Sequence, residues 1–216
     1  MTRPLPGAEG VAVQEQYESA DQQMSANRLG MWVFLASEVM LFGGFFLGFL
    51  VYRVMHPQGF EEAASHTDLL IGTVNTVVLL TSSLTVALAV TAVRHGRRGM
   101  GIGCLAATVG LGAAFLALKG YEYWKEYGEG LMPHAGKPFP LHEEGTMLFF
   151  NLYFAATGLH AAHLTLGIVM MSTIAVLWAV RGTARVPELV ESGALYWHLI
   201  DVIWIWLYPL IYLAGR

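Results

Sequence analysis

The chain has 216 residues, of which 55% are hydrophobic and only 13% charged, with a net charge of −4 and a mean hydropathy of +0.51. Soluble domains carry roughly a quarter charged residues, so this composition argues against a soluble domain and for a chain surrounded by lipid, and no basic excess points to nucleic acid. The single cysteine, Cys104, rules out a disulfide within the chain and any zinc or iron–sulfur site built on several of its own thiolates.

Residues 1–28 form a polar tail rich in Gln and Glu. It has no apolar h-region, so it is not expected to be a secretory signal peptide. Residues 29–216 hold five runs long enough to cross ~30 Å of hydrocarbon: Leu29–Tyr52, Leu69–Val93, Met100–Leu118, Thr146–Val180 and Ser192–Ala214. The first carries Glu38 and a GxxxG pair, Gly44 and Gly48. In the second, Asn75, Thr76, Ser82 and Ser83 read as interhelical hydrogen bonders rather than pore liners. A second GxxxG pair, Gly99 and Gly103, opens the third. These small residues mark either close helix contacts or the ordinary composition of membrane helices.

Between Lys119 and Gly145 the sequence predicts a long irregular loop, with Pro133, Pro138 and Pro140 breaking any helix. Its Tyr121, Tyr123, Trp124 and Tyr127, with Lys125, read as an outer aromatic belt. The fourth span has 35 residues without Asp, Glu, Lys or Arg. It has no turn chemistry in its middle, so it is expected to be one tilted helix. The fold class is therefore all-α, a polytopic bundle of five membrane helices.

Five spans put the termini on opposite sides. The N-terminal side carries Arg3, Arg28, Arg94, Arg97, Arg98, Arg181 and Arg185; the other carries Arg53, Lys119, Lys125, Lys137 and Arg216. The excess places the N-terminus in the cytoplasm and the C-terminus outside. Arg94, Arg97, Arg98, Arg181 and Arg185 lie at that cytoplasmic boundary. They serve either as a topology signal or as guanidinium partners for phospholipid phosphates, with bound lipid expected between the first span and the fourth and fifth.

A carboxylate near the bilayer centre costs ~2.5–3.5 kcal/mol on insertion scales, so each one needs a reason. Glu38 and Asp201 are the two, both expected roughly 14 Å from the inner surface. His198 lies one turn from Asp201, and His160 and His163 stand at i and i+3 in the fourth span. Three chemistries could use this acid–imidazole cluster: haem or copper ligation, a proton relay between a carboxyl and a neutral imidazole, or a structural lock between helices. His160 and His163 share one face and cannot sandwich a haem, and there is no adjacent His–His pair or second Cys for a dinuclear copper site. For His198 and Asp201 the structural reading is favoured. For Glu38 and His163 the choice stays open.

At these residues the chain resembles subunit III of the haem-copper oxidases. Ala36-Ser37-Glu38-Val39-Met40-Leu41-Phe42, followed by Gly43-Gly44-Phe45-Phe46, is similar to the family's glutamate-bearing helix. Asn75-Thr76-Val77-Val78-Leu79-Leu80, Tyr121-Glu122-Tyr123, Ala156-Thr157-Gly158-Leu159-His160-Ala161-Ala162-His163 and Tyr196-Trp197-His198-Leu199-Ile200-Asp201-Val202-Ile203-Trp204 resemble further family segments. They occur in family order from Met31 to Gly215. The larger family members have seven helices, and this chain resembles the last five.

The resemblance implies a non-catalytic subunit of a bacterial cytochrome c oxidase in the cytoplasmic membrane. It implies no metal or catalytic residue in this chain: haem and copper belong to the partner, subunit I, whose proton uptake and lifetime the subunit supports. It implies that the cleft left by the missing helix pair is completed by a small or fused partner subunit, by phospholipid, or not at all. Glu38 corresponds to the family's carbodiimide-reactive glutamate, and His163 to a histidine near it. Subunit III of a quinol oxidase, where Asp often replaces this Glu, and the related accessory protein of nitric oxide reductase are the alternatives. An independent proton-coupled transporter is disfavoured, because no inverted repeat or Pro-broken midplane helix is visible.

Overall fold

A computed structural model describes residues 20–133, 139–181 and 186–213, and among these all regular structure is helical. In chain order the helices are α1 (Ala20–Met55), α2 (Pro57–Ser65), α3 (Leu69–Arg94), α4 (Arg98–Glu129), α5 (Thr146–Arg181) and α6 (Val186–Tyr208), closed by a π-helical turn, Pro209–Leu213. Five of these segments are long and apolar enough to span a membrane: Ser25–Met55, Leu69–Arg94, Arg98–Glu129, Thr146–Val180 and Val186–Leu213. Pro138, Lys137, Arg3, Arg185 and Arg216 lie outside the described residues.

Four boundaries differ from the sequence reading, each for a local reason. α1 starts in the polar tail, because Ala, Gln, Met and Arg before Gly30 are good helix formers. α4 does not stop at Leu118. No proline interrupts it until Pro133, and it ends where Gly130 takes φ 79°. There the Leu131 N–H reaches back to the Glu126 carbonyl at 3.0 Å, a glycine-terminated cap. Lys119–Glu129 is therefore helix rather than loop. α6 begins before Ser192, with Pro187 in its first turn, where a missing N–H costs nothing.

The fourth difference is α2, a short surface helix that the sequence reading did not include. His56 precedes it, Pro57 opens it, and it buries Gly59, Phe60, Ala63 and Ala64. Phe60 closes a triangle of edge-to-face rings with Phe49 of α1 and Phe149 of α5, at centroid distances of 5.1–5.4 Å. Each such pair contributes about 0.5–1.5 kcal/mol beyond its burial. Asp68 then caps α3, accepting from the Ile71 N–H at 3.3 Å. Its other oxygen takes Lys125 of α4 at 3.1 Å. Burial alone would raise the Asp68 carboxyl, but the Lys125 ammonium and the backbone N–H groups outweigh it and hold Asp68 below the ordinary carboxylate value.

α3, α4, α5 and α6 form the body of the bundle: α3 packs on α4 and α6, and α5 on α4 and α6. The buried face of α4 is Gly101, Leu105, Thr108, Gly112, Phe115, Lys119, Glu122 and Glu126. These positions alternate steps of four and three, the seam of an antiparallel coiled coil. α1 lies outside this body against α5 and α6. It offers a narrower seam of Leu35, Phe42 and Phe49, while Trp32, Met40, Leu47 and Val54 stay exposed.

The close approaches are not at the GxxxG pairs. A Cβ at Gly44, Gly48, Gly99 or Gly103 would meet nothing within 4 Å, whereas at Gly101 it would run into the Trp178 ring. At Gly112 it would fall 2.9 Å from Trp197. Within this chain, indole rings laid over single glycines bring the helices together.

Candidate functional site: the polar interior of the bundle

Glu38 sits on the α1 seam between Leu35 and Phe42, close to the middle of its span. Its Oε2 is 2.9 Å from His163 Nε2 of α5, with both side chains largely covered. His163 Nδ1 lies 2.8 Å from the Leu159 carbonyl. A carbonyl can only accept, so Nδ1 carries a hydrogen. In a neutral ring Nε2 is then bare, and a bare nitrogen facing a carboxylate oxygen would repel it. One proton must therefore lie in the pair, giving either a carboxylic acid beside imidazole or a carboxylate beside imidazolium. Both forms are neutral overall, as this depth requires. The approach is close but not in line for a hydrogen bond, since Oε2 has no well-directed partner. Phe42 covers the imidazole edge-on at 5.5 Å.

The other members of the cluster do not join this pair. His160 is fully buried between Phe115, at 5.5 Å, and Trp204, at 5.1 Å. Neither of its ring nitrogens has a hydrogen-bond partner among the described residues. His198 makes no bond to Asp201, one turn away on the same helix. Its Nδ1 meets the Ser83 hydroxyl of α3 at 2.8 Å. Asp201 is 3% exposed and borders the same hydroxyl, but neither of its oxygens has a well-formed bond. α3 supplies the partner of His198, the Ser83 hydroxyl, instead.

The α3 polar residues mostly bridge helices. Trp204 Nε1 donates to Thr76 at 3.0 Å, and Trp197 Nε1 donates to Ser82 at 3.0 Å. Asn75 is buried, and neither of its amide atoms is bonded among the described residues.

The largest polar group was missed from sequence. Lys119, read as a loop charge, is 2% exposed, with Glu122 at 1% and Glu126 at 3%. The three ammonium N–H groups of Lys119 find Glu122 Oε2 at 2.9 Å, Tyr153 OH at 2.8 Å and Tyr212 OH at 2.9 Å. Tyr212 donates in turn to Glu122 Oε1, and Tyr153 to Glu126 Oε1, each at 2.7 Å. The rings of Tyr123, Tyr153, Trp204 and Tyr212 surround the ammonium at 4.5–5.7 Å, positions that favour a cation. Tyr123 also donates to Thr157 of α5. The signal was available: Lys119, Glu122 and Glu126 continue the seam of Leu105, Thr108, Gly112 and Phe115. Tyr121, Trp124 and Tyr127 are exposed, as an aromatic belt would be.

At the other end, Arg94 pairs with Glu191 at 3.0 Å on the surface. Arg98 donates to the Ala179 carbonyl near the end of α5 at 2.8 Å. Arg97 is exposed at the start of α4. Arg185 and the side chain of Arg181 lie outside the described residues. With Lys119 in the bundle interior, the side opposite Arg94 and Arg98 presents one basic residue fewer than the sequence count gave it.

No group of three or more His, Cys, Asp or Glu among the described residues is arranged to hold a metal ion. The sequence profile of the family described as "Cytochrome c oxidase subunit III" matches residues 12–216. A protein of Thermostichus vulcanus named "Cytochrome c oxidase subunit 3" is 33% identical over 215 residues, covering 95% of this chain and 94% of that one. "Cytochrome c oxidase subunit 3" of Bacillus subtilis is 31% identical, covering 87% of this chain and 86% of the relative. "Cytochrome bo(3) ubiquinol oxidase subunit 3" of Pseudomonas aeruginosa is 29% identical, covering 86% and 84%.

Proposed function

Because the chain belongs to the cytochrome c oxidase subunit III family, we propose that it is the third, non-catalytic subunit of a bacterial haem-copper terminal oxidase. It resides in the cytoplasmic membrane against subunit I, which holds the haem and copper. The observation that carries this reading is what the interior polar groups do. Lys119, Glu122, Trp197, Trp204 and His198 are all engaged in holding helices to one another. Both nitrogens of His163 face protein atoms, Leu159 and Glu38. His160 is enclosed by rings. Such an interior suits a scaffold that steadies a redox subunit and its proton uptake rather than one that ligates a cofactor.

The exposed flank of α1 fits a small or fused partner subunit, or phospholipid, as its covering. Arg97 and its neighbours at the opposite boundary suit phospholipid headgroups. Relatives named for cytochrome c and for ubiquinol match over similar lengths, so the quinol oxidase remains the second reading, and donor identity resides in the partner subunits.

The test is purification from the native membrane. The chain is expected to co-migrate with a haem-bearing subunit, with retained phospholipid by mass spectrometry, and to show no visible absorbance when expressed alone. A stoichiometric haem or copper signal in the isolated chain would overturn the non-catalytic reading.

A further inference from the structure

Most exposed hydroxyls in the spans turn back on their own helix. Ser37 donates to the Phe34 carbonyl at 2.7 Å, Thr81 to Val77 at 2.8 Å, Thr165 to Ala161 at 2.8 Å and Thr173 to Val169 at 2.8 Å. A hydroxyl closed in this way asks nothing of its surroundings and can face hydrocarbon. The outer face of α5, with exposed Leu166, Val169 and Val176, has this lipid-compatible character.

His198 differs. It lies near the middle of the Val186–Leu213 span and is only partly covered. Ser83 takes its Nδ1. Nε2, at the opposite edge of a rigid ring, cannot bend back to its own helix, and it has no hydrogen-bond partner among the described residues. Acyl chains offer nothing to such a group at this depth, and intramembrane ionisable residues are expected to find protein partners. Around it the surface is apolar: Leu80 on α3 is 48% exposed, and Leu195 and Val202 on α6 are 41% and 48% exposed. Leu195, His198 and Val202 step by three and four, so they form one straight stripe beside α3.

We propose that this α3–α6 face is a docking surface for a transmembrane helix of a partner oxidase subunit. That helix presents a neutral hydrogen-bonding side chain (Ser, Thr, Asn or Gln) to His198 Nε2. A neutral partner completes the ring without placing a net charge in the bilayer, and the flat apolar stripe on either side supplies the packing that drives helix association in lipid. The inference rests on the reading of the chain as an oxidase subunit and adds which face engages the partner.

The experiment places a photoreactive residue at Leu195 or Val202, and as controls at Val169 or Val176, in the assembled complex in native membrane. The α6 positions are expected to crosslink to a transmembrane segment of another subunit, and the α5 positions to lipid. Against Ser83→Ala, which removes only the Nδ1 contact, His198→Phe keeps the ring volume and loses both nitrogens. It is expected to lower severalfold the fraction of the chain retained with the haem-bearing subunit after detergent washing, whereas Thr173→Val leaves retention unchanged. Lipid adducts alone from Leu195 and Val202, adducts joining two copies of this chain, or full retention of the His198→Phe chain would each overturn the proposal. A Leu195 adduct to a partner from a complex that contains no haem-bearing subunit would keep the docking face and overturn the oxidase reading instead.

Discussion

His163 stands between a carbonyl of its own helix and a carboxyl of another: Nδ1 is 2.8 Å from the Leu159 oxygen and Nε2 is 2.9 Å from Glu38. The first contact fixes the tautomer, and the tautomer obliges the second to contain a proton. Glu38 also lies at the edge of the bundle, with 13% of its side chain exposed, whereas Asp201 is 3% exposed within it. A hydrophobic carbodiimide is therefore expected to label Glu38 in preference to Asp201. Peptide mapping checks this, and labelling of Asp201 with Glu38 untouched would reverse the assignment. Glu38→Gln keeps shape and a donor, so assembly is expected to persist, with a shorter lifetime during sustained turnover.

Lys119→Met is expected to be among the most destabilising substitutions in the chain. It removes three donated hydrogen bonds and leaves the Glu122 carboxylate buried beside methylenes, a loss of about 3–5 kcal/mol when one partner of a buried pair is deleted. Lys119→Met with Glu122→Gln removes the charge as well and should recover much of that loss. Thermal unfolding of the two variants measures the difference; equal melting temperatures would show that the ion pair is not what holds α4 to Tyr153 and Tyr212.

Gly101→Ala and Gly44→Ala separate the glycines that matter from those that only look as if they should. An added methyl at Gly101 collides with the Trp178 ring, while at Gly44 it enters open space. Gly101→Ala is expected to cost about 1–3 kcal/mol, typical of overpacking, and Gly44→Ala to leave the isolated chain's stability unchanged. Denaturation in detergent tests both.

Acid should loosen the contact between the α2–α3 turn and α4. Asp68 is held below its ordinary value of 3.8, so its ionised form is favoured by the folded state. The stabilisation is complete above that value and is lost as pH falls through the lower, folded value. The Lys125 pair is partly exposed, so solvent screening keeps the effect small, under about 1 kcal/mol. Asp68→Asn should abolish that component of the acid dependence, measurable as hydrogen exchange at the start of α3.

The five spans, the identity of the polar residues inside them and the family signature were all legible in the sequence. Span length follows from bilayer thickness, and a charged residue within an apolar run stands out without any knowledge of packing. The Glu38–His163 meeting was readable as a candidate because both residues lie mid-span. Hidden were the continuation of α4, whose signal is a seam rather than an apolar run, and α2, marked only by Pro57 and the spacing of Phe60, Ala63 and Ala64.

What only the tertiary structure decided is rotation. Lipid and bundle interior are both apolar, so an apolar run does not say which side of a helix faces which. That choice put Lys119 inside rather than at a loop, set His198 against the Ser83 hydroxyl of α3, and left Gly44 and Gly48 open while Gly101 and Gly112 received tryptophan rings. Each outcome depends on residues distant in sequence filling the same level of the bundle, and helix phase at that level is set by side-chain packing rather than by hydropathy.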